Sequence, residues 1–317
     1  MSFLYGKVKR MGTFIYTYAG YEDELSLRAL EMRSFFGIES QTNILESPVK
    51  IDPSRSPFMK ERIAVILETE SYHELLSKTA ALETEQTFKV IYVKNGSVEE
   101  PFEKRRRIER EVGLQIKGKA DIRQPERLFG IMNLGGGRWI FGDYVESESV
   151  WYQHQQKPHQ YSTALSTRVA RAVVNIAILD PTGIKAIDPC CGIGTVLVEA
   201  LSMGIDIVGS DNNPVILAGT RENIAYFGLS CEVKFEDMRN ITKHYDTAII
   251  DLPYNLCSVI SPEVQLEMLQ SARRFADKVV VVTVEPIDEI LLVAGFNIVD
   301  RGVAKKGVFI REVIVCR

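Results

Sequence analysis

From residue 184 onward, five short runs rich in β-branched and other apolar residues (184–188, 205–210, 231–235, 247–251 and 278–284) alternate with amphipathic helical stretches. Strands separated by helices cannot pair as tight hairpins. Each crossover returns the chain in its starting direction, so this pattern calls for a mostly parallel sheet with helices on both faces. A helix near 287–294 and two more strands, 297–303 and 309–316, follow; the last two meet at the basic turn Lys305-Lys306-Gly307 and read as an antiparallel hairpin closing the sheet. The fold class expected for this half is α/β.

The first half is less regular. Strands at 13–18, 63–67 and 88–92 and helices at 23–36, 72–81 and 98–114 precede a β segment from 128 to 145 that contains Gly135-Gly136-Gly137. Such mixed modules fit an α+β N-terminal region better than a second parallel sheet. With 317 residues and roughly 100–200 per domain, two domains are expected, 1–152 and 153–317, joined by a polar stretch at 153–161 that Pro158 breaks. The composition, 45% hydrophobic and 25% charged, excludes a disordered or fibrous chain. No run approaches the roughly 18 apolar residues of a membrane span, so no membrane partner is expected. The stretch 11–19 reads as a strand entering a helix, not a signal peptide. Five scattered cysteines match neither a disulfide framework nor a zinc-ligand spacing, which favours a cytoplasmic setting. The four histidines have no helical ligand spacing, and no metal is expected.

Net charge is −4, so no bulk positive field marks the chain as a nucleic-acid binder and any such partner must be held locally. One window can do so: between Lys104 and Arg127 there are nine basic and four acidic residues, enough to meet several phosphates unless they form a solvated, internally paired helix face.

The chemistry concentrates at strand ends. The first strand of the second half runs into Asp188-Pro189-Cys190-Cys191-Gly192-Ile193-Gly194-Thr195 and then a helix. A glycine turn between a strand and a helix N-terminus lets backbone approach a ligand, although two glycines in such a turn are common and name no ligand by themselves. Asp211, with Asn212 after it, ends the next strand, where a carboxylate can accept hydrogen bonds from both ribose hydroxyls. A nicotinamide dinucleotide would use the same acid. However, Leu197 stands where the third glycine of Gly-x-Gly-x-x-Gly belongs, Asp188 would repel a pyrophosphate, and no Walker A loop is present. Asp188 suits an ammonium or sulfonium group instead, so S-adenosylmethionine is the expected cofactor. Asp237-Met238, after the third strand, could meet the adenine, with Asp237 equally able to cap a helix.

The fourth strand ends in Asp251-Leu252-Pro253-Tyr254. An exocyclic base amine is a poor nucleophile because its lone pair is delocalised into the ring. If the Asp251 carboxylate and the Pro253 carbonyl accept its two N–H bonds, the lone pair is aimed at a methyl group, and Asp251 can take the departing proton. Tyr254 would stack on a base swung out of any helix.

With these segments in register, the second half resembles the class I S-adenosylmethionine-dependent methyltransferases that act on exocyclic base amines. Pro158-His159-Gln160-Tyr161-Ser162, residues 170–177, Arg221-Glu222-Asn223-Ile224 and the hairpin before Ile310-Arg311-Glu312-Val313 resemble the THUMP-associated tRNA guanosine N2-methyltransferases. The resemblance covers roughly residues 157–317. It implies a Rossmann-like, mostly parallel sheet with an antiparallel last strand, and a lead-in segment carrying Tyr161, Ser162 and Thr163 that folds over the cofactor. It also implies a cofactor set completed by Asp188, Cys190, Gly192, Gly194, Thr195, Asp211, Asn212, Asp237 and Met238, and catalysis by Asp251, Pro253 and Tyr254. Residues 18–25 and 118–126 resemble, more loosely, the family's ferredoxin-like domain and THUMP module, implying an RNA partner, tRNA. Two positions depart from the family: Leu252 replaces a proline, and Asn255 replaces a glycine. The second keeps N6-methylation of adenine in RNA or DNA as an alternative, and the first a catalytically idle RNA-binding protein of the same fold. A nicotinamide-dependent oxidoreductase would leave Pro253-Tyr254 without a role.

Overall fold

The computed structural model describes residues 12–253, 260–306 and 309–317, so Tyr254, Asn255, Cys257 and Gly307 lie outside the described residues. Two compact units emerge. One consists of the stretch ending at Ala19, Ser40–Ser54 and Met59–Glu148; the other of Gly20–Glu39, Arg55–Phe58 and Ser149–Arg317. Gly20–Glu39, which carries helix α1 (Leu25–Phe36), and Arg55–Phe58 precede the sequence-based boundary near residue 152 yet pack within the second unit.

The first unit holds β1 (Phe14–Tyr18), β2 (Ile44–Ser47), β3 (Met59–Thr69), β4 (Phe88–Tyr92), β5 (Arg127–Gly135) and β6 (Arg138–Glu146) in one sheet of order β2-β1-β3-β6-β5-β4. Only β4 and β5 pair in parallel; the other neighbours are antiparallel. The period-2 rule of strands is visible in β5. Phe129 and Ile131 join a core completed by α2 (Tyr72–Thr79) and α3 (Phe102–Gln115), whereas Met132 joins a second cluster with Ile15, Ile63 and Ile140. The expected β segment over 128–145 is thus two strands, turned at Gly135-Gly136-Gly137, where all three glycines have positive φ. Strand β2 has only two adjacent apolar residues, Ile44 and Leu45, and no alternation that marks it in sequence; its pairing with β1 makes it a strand.

The second unit carries β7 (Lys185–Asp188), β8 (Asp206–Asp211), β9 (Val233–Phe235), β10 (Tyr245–Asp251), β11 (Ala276–Thr283), β12 (Ile298–Lys306) and β13 (Phe309–Cys316) in the order β12-β13-β11-β10-β7-β8-β9. Strands β9, β8, β7, β10 and β11 are successive parallel neighbours, and β13 runs antiparallel to both β11 and β12. This is the mostly parallel sheet with an antiparallel last strand that the alternation and the resemblance imply. Its helices are α4 (Thr167–Ala177), α5 (Thr195–Ser202), α6 (Pro214–Tyr226), α7 (Pro262–Phe275) and α8 (Asp288–Val293). Ser166, Asn213 and Ser261 each accept a backbone N–H at the start of α4, α6 and α7, and Pro214 and Pro262 occupy first-turn positions where a missing N–H costs nothing. Ile250, Val279, Val281, Leu269, Phe275 and Phe296 belong to the core formed by β10, β11, α7 and the segment after α8. The strand order reverses at β7, with β8 on one side and β10 on the other, and this switch point opens a crevice at the carboxyl ends of the strands.

Helix α1 is fastened to this unit by buried polar groups. Glu31 is fully buried and accepts hydrogen bonds from Ser56 Oγ (2.5 Å) and Asn175 Nδ2 (2.7 Å). Arg55 Nε donates to Asn175 Oδ1 at 3.2 Å. Two forked pairs add to this: Arg33 with Asp300, both contacts 2.8 Å, and Arg168 with Glu24, both 2.7 Å. Planar guanidinium–carboxylate pairs fix orientation as well as distance.

Burial pushes the Glu31 carboxyl up to about 7 from 4.5, with Ser56, Asn175, Arg55 and Arg171 countering only in part. Between those two values the native state binds the extra proton, so Glu31 costs stability as pH rises from 4.5 to 7 and the cost then levels off. The Glu31→Gln variant is expected to lose this slope, a difference on the order of 3 kcal/mol between wild type and variant over the window. Urea denaturation from pH 4 to 8 checks it, and parallel pH profiles would refute it.

Candidate active site

Residues 189–194 turn the chain from β7 into α5 with Gly192 at φ 49° and Gly194 at φ 80°, a left-handed region that side chains avoid. At Gly194 the space is also closed, since a Cβ there would lie 2.9 Å from Thr220 Cγ2 on α6. The same helix holds the turn in place. Thr220 Oγ1 donates to the Gly192 carbonyl at 2.5 Å, and Asn223 Nδ2 donates to the Ile193 carbonyl at 2.9 Å. Asp211 completes the cradle: its Oδ2 accepts the Gly192 N–H and its Oδ1 the Asn213 N–H, both at 2.9 Å.

Asn223 also holds the lead-in segment. The His159 N–H donates to Asn223 Oδ1 at 2.9 Å, and Asn223 Nδ2 donates back to the His159 carbonyl at 3.1 Å. The His159 ring lies 2.5 Å from Glu222. The lead-in is thereby laid along α6, with Tyr161, Thr163, Ala164 and Leu165 lining a cavity of about 480 Å³ in the second unit.

Twelve sequence-expected site residues line that cavity: Tyr161, Thr163, Asp188, Cys190, Gly192, Thr195, Asp211, Asn212, Asp237, Met238, Asp251 and Pro253. Ser162 and Gly194 do not, Gly194 acting behind the turn as the first residue of the α5 cap. Sequence reasoning missed Ile216, Ile260, Val264 and Met268, apolar positions on or beside α6 and α7 that carry no signal distinguishing a cavity wall from a core. It also missed Arg239 as a lining residue, for which the close spacing Asp237-Met238-Arg239 was available.

Electrostatically the cavity is a nest of acids. Burial holds the Asp188 carboxyl well above the usual range, Asp251 and Asp211 push it further, and only the Cys190 N–H (3.2 Å) relieves it. Asp251 is pushed up to about 7 by burial, with Arg311 countering, and its Oδ1 is buried with no hydrogen-bond partner among the described residues. Asp237 differs: hydrogen bonds from Arg239, including Nη2 to Oδ2 at 2.8 Å, hold it below the usual range. Burial, then the neighbouring acids, push the Cys190 thiol up, so it is a neutral wall and not a nucleophile. A cavity of this kind favours a cationic ligand over a phosphate and itself offers a proton acceptor.

In the first unit eight of the nine basic residues of the window divide into two sets, while Arg105 lies over the Phe102 ring. Lys104 pairs with Glu100 and Arg106 with Glu109 (both 2.7 Å), Arg107 lies 3.7 Å from Glu111, and Arg127 pairs with Asp143 at 2.7 Å. Arg110, Lys117, Lys119 and Arg123 are exposed and enter no ion pair among the described residues.

Residues 154–280 match the family described as RMKL-like, methyltransferase domain. The chain is 31% identical over 169 residues to a tRNA (guanine(10)-N2)-dimethyltransferase of Methanothermobacter thermautotrophicus, and the match covers 50% of each chain. It is 26% identical over 179 residues to the enzyme of the same name from Methanocaldococcus jannaschii, again with 50% of each chain covered. The chain therefore spans about half the length of the curated relatives it matches. Among solved structures, TrmN from Thermus thermophilus is similar over 96% of this chain and 99% of its own, with 18% identity and a TM-score of 0.47.

Gly194→Ala is expected to destabilise the protein by about 1–2 kcal/mol from the left-handed backbone alone, and by more from the contact with Thr220. Chemical denaturation checks the loss, and a Gly194→Ala, Thr220→Ser double variant is expected to recover only the contact-derived part.

Proposed function

We propose that this chain, whose residues 154–280 match an RMKL-like methyltransferase domain, transfers a methyl group from S-adenosylmethionine to the exocyclic N2 of a guanosine in tRNA. The observation that carries this reading is Asp251. Its carboxylate lies at the end of β10, Asp251 and Pro253 both line the cavity, and among the described residues its Oδ1 has no partner, in a buried setting where an orphan acceptor is costly.

When bound, S-adenosylmethionine supplies the methyl group on a positively charged sulfur. The donor set suits it. Asp188 and Asp251 offer buried negative charge toward a sulfonium and an ammonium. Asp211, although it receives two backbone N–H groups, keeps lone pairs for ribose hydroxyls. Asp237 and Met238 receive the adenine, with Arg239 sharing the Asp237 carboxylate, and Tyr161 and Thr163 cover the cavity from the lead-in.

Toward the base, Asp251 and the Pro253 carbonyl each accept one N–H of the amine, which restores lone-pair density on nitrogen and orients it. Asp251 then holds the proton the amine releases. A carboxyl near 7 is well matched to that task, being ionised often enough to accept a proton and basic enough to keep it. Tyr254 is assigned the stacking role by its place after Pro253. The N-terminal region is read as ferredoxin-like plus THUMP-like and docks the tRNA, with Arg110, Lys117, Lys119 and Arg123 as its phosphate contacts. A cytoplasmic setting belongs to the same proposal. No helix among the described residues is long and apolar enough to cross a membrane.

Transfer of labelled methyl to unmodified tRNA, followed by nucleoside identification, tests the reaction. Wild type is expected to yield N2-methylated guanosine, and Asp251→Asn to fall by about 10²–10⁴-fold; N6-methyladenosine as the product would overturn the base assignment. For the docking surface, Arg110→Ala with Lys119→Ala is expected to weaken tRNA binding and to flatten the log–log salt dependence by about one unit per lost phosphate contact. An unchanged slope, measured by filter binding across salt concentrations, would clear those residues of the role.

A further inference from the structure

The turn that follows β9 is held from two directions. Asp237 caps the single helical turn Met238–Asn240, its Oδ1 accepting the Arg239 N–H at 2.8 Å. The Arg239 guanidinium folds back on the same carboxylate, with Nη2 2.8 Å from Oδ2 and Nε 3.1 Å from Oδ1 and 3.3 Å from Oδ2. Its other arm, Nη1, donates to Glu267 Oε2 on α7 at 2.8 Å, and the fully buried Ser271 of α7 donates to the Met238 carbonyl at 2.9 Å. Asp237, Met238 and Arg239 all line the cavity, whereas Glu267 and Ser271 do not. Helix α7 thus fixes the backbone of the turn and, through Arg239, the carboxylate at its head.

We infer that Arg239 is a positioning residue that fits Asp237 to a 6-amino purine: its fork, tied back to Glu267, fixes the carboxylate in one orientation and leaves it room for one further N–H donor. This rests on the reading of the cavity as the methyl-donor site with the adenine at Asp237. A carboxylate offers roughly four acceptor directions. The Arg239 N–H and Nε occupy Oδ1 and Nη2 occupies Oδ2, so among the described residues one direction on Oδ2 stays open. The amino group of adenine supplies an N–H to it. A 6-oxo purine brings a carbonyl oxygen to the same place, where two acceptors would face each other, and selectivity comes from that repulsion as well as from the bond formed. The Arg239 and Glu267 side chains are 41% and 58% exposed, and an ion pair so open to solvent adds little to stability. Its weight falls on orientation, which a planar fork fixes and the point charge of a lysine ammonium does not. Loss of the fork frees the Asp237 carboxylate to turn, and the preference for the amino group goes with it.

The test measures, by calorimetry on the full chain without RNA, the affinities of S-adenosylhomocysteine and of its 6-oxo analogue S-inosylhomocysteine. Wild type is expected to prefer the amino form by about 10-fold or more, the worth of one hydrogen bond to a charged acceptor. Arg239→Met is expected to weaken S-adenosylhomocysteine by about 5-fold or more with little change for the analogue, and Arg239→Lys to narrow the preference at least about 2-fold. Asp237→Ala is expected to abolish the preference, and adding Arg239→Met to it to cost less than about 2-fold more, because Arg239 acts through Asp237. The inference is overturned if Arg239→Met keeps the preference, if it weakens both ligands equally, if Arg239→Lys behaves as wild type, or if the two substitutions add, which would mean that Arg239 touches the ligand itself. Thermal melts establish that each variant folds, and should Arg239→Met fail to fold, Arg239→Lys alone and on Asp237→Ala decides. A wild type without preference, or an Asp237→Ala variant that keeps it, removes the adenine from Asp237 and the inference with it. Wild type that binds neither ligand overturns the reading of the cavity as the donor site.

Discussion

Parallel strands deliver their carboxyl ends to a single edge of the sheet, and here that edge collects Asp188, Asp211 and Asp251 from β7, β8 and β10 around one cavity. Buried acids at close quarters are unfavourable unless something compensates them. Backbone N–H groups of the glycine turn answer Asp211 and, weakly, Asp188, and Arg311 answers Asp251 in part. What remains uncompensated is the capacity of the site: a demand for positive charge in its interior and a carboxylate ready to accept a proton. The lead-in and the glycine turn both line the cavity that holds that residual charge.

The turn itself depends on side chains of α6. Thr220 and Asn223, three residues apart on one helix face, reach the Gly192 and Ile193 carbonyls, and Asn223 also reaches both backbone groups of His159. One helix thus fixes the floor and the cover of the cavity together. Its start is set by the Asn213 cap and Pro214, closely after Asp211, so the strand-end acid and the helix that carries the clamp are placed by a few neighbouring residues.

The second unit is completed by chain from far upstream. Glu31, Arg33 and Arg55 come from the first sixth or so of the sequence, yet they satisfy Asn175 on α4 and Asp300 on β12. Nothing local marks them for this. In sequence Glu31 and Arg33 are ordinary charges on a helix, and Arg55 an ordinary loop cation; only burial against α4 turns them into a network. In the basic window the internally paired face that the sequence left open holds in part, since Lys104, Arg106 and Arg107 meet acids three or four residues away, and only the pairing of Arg127 with Asp143 on β6 needed the fold.

Strand and helix alternation from residue 184 determined the parallel sheet, because hydrophobic period and crossover length are local properties. The strand-end acids Asp188, Asp211 and Asp251 were legible for the same reason: in a parallel sheet the residue that ends a strand is known once the strand is. Tertiary structure alone decided which of those acids are held by neighbours and which are left open, and that Asn223 and Arg311 fasten the cover. It also decided that Gly20–Glu39 packs with the second unit. Those outcomes depend on distances between groups dozens to hundreds of residues apart, and the dielectric cost of burying charge exists only once the chain has closed around it.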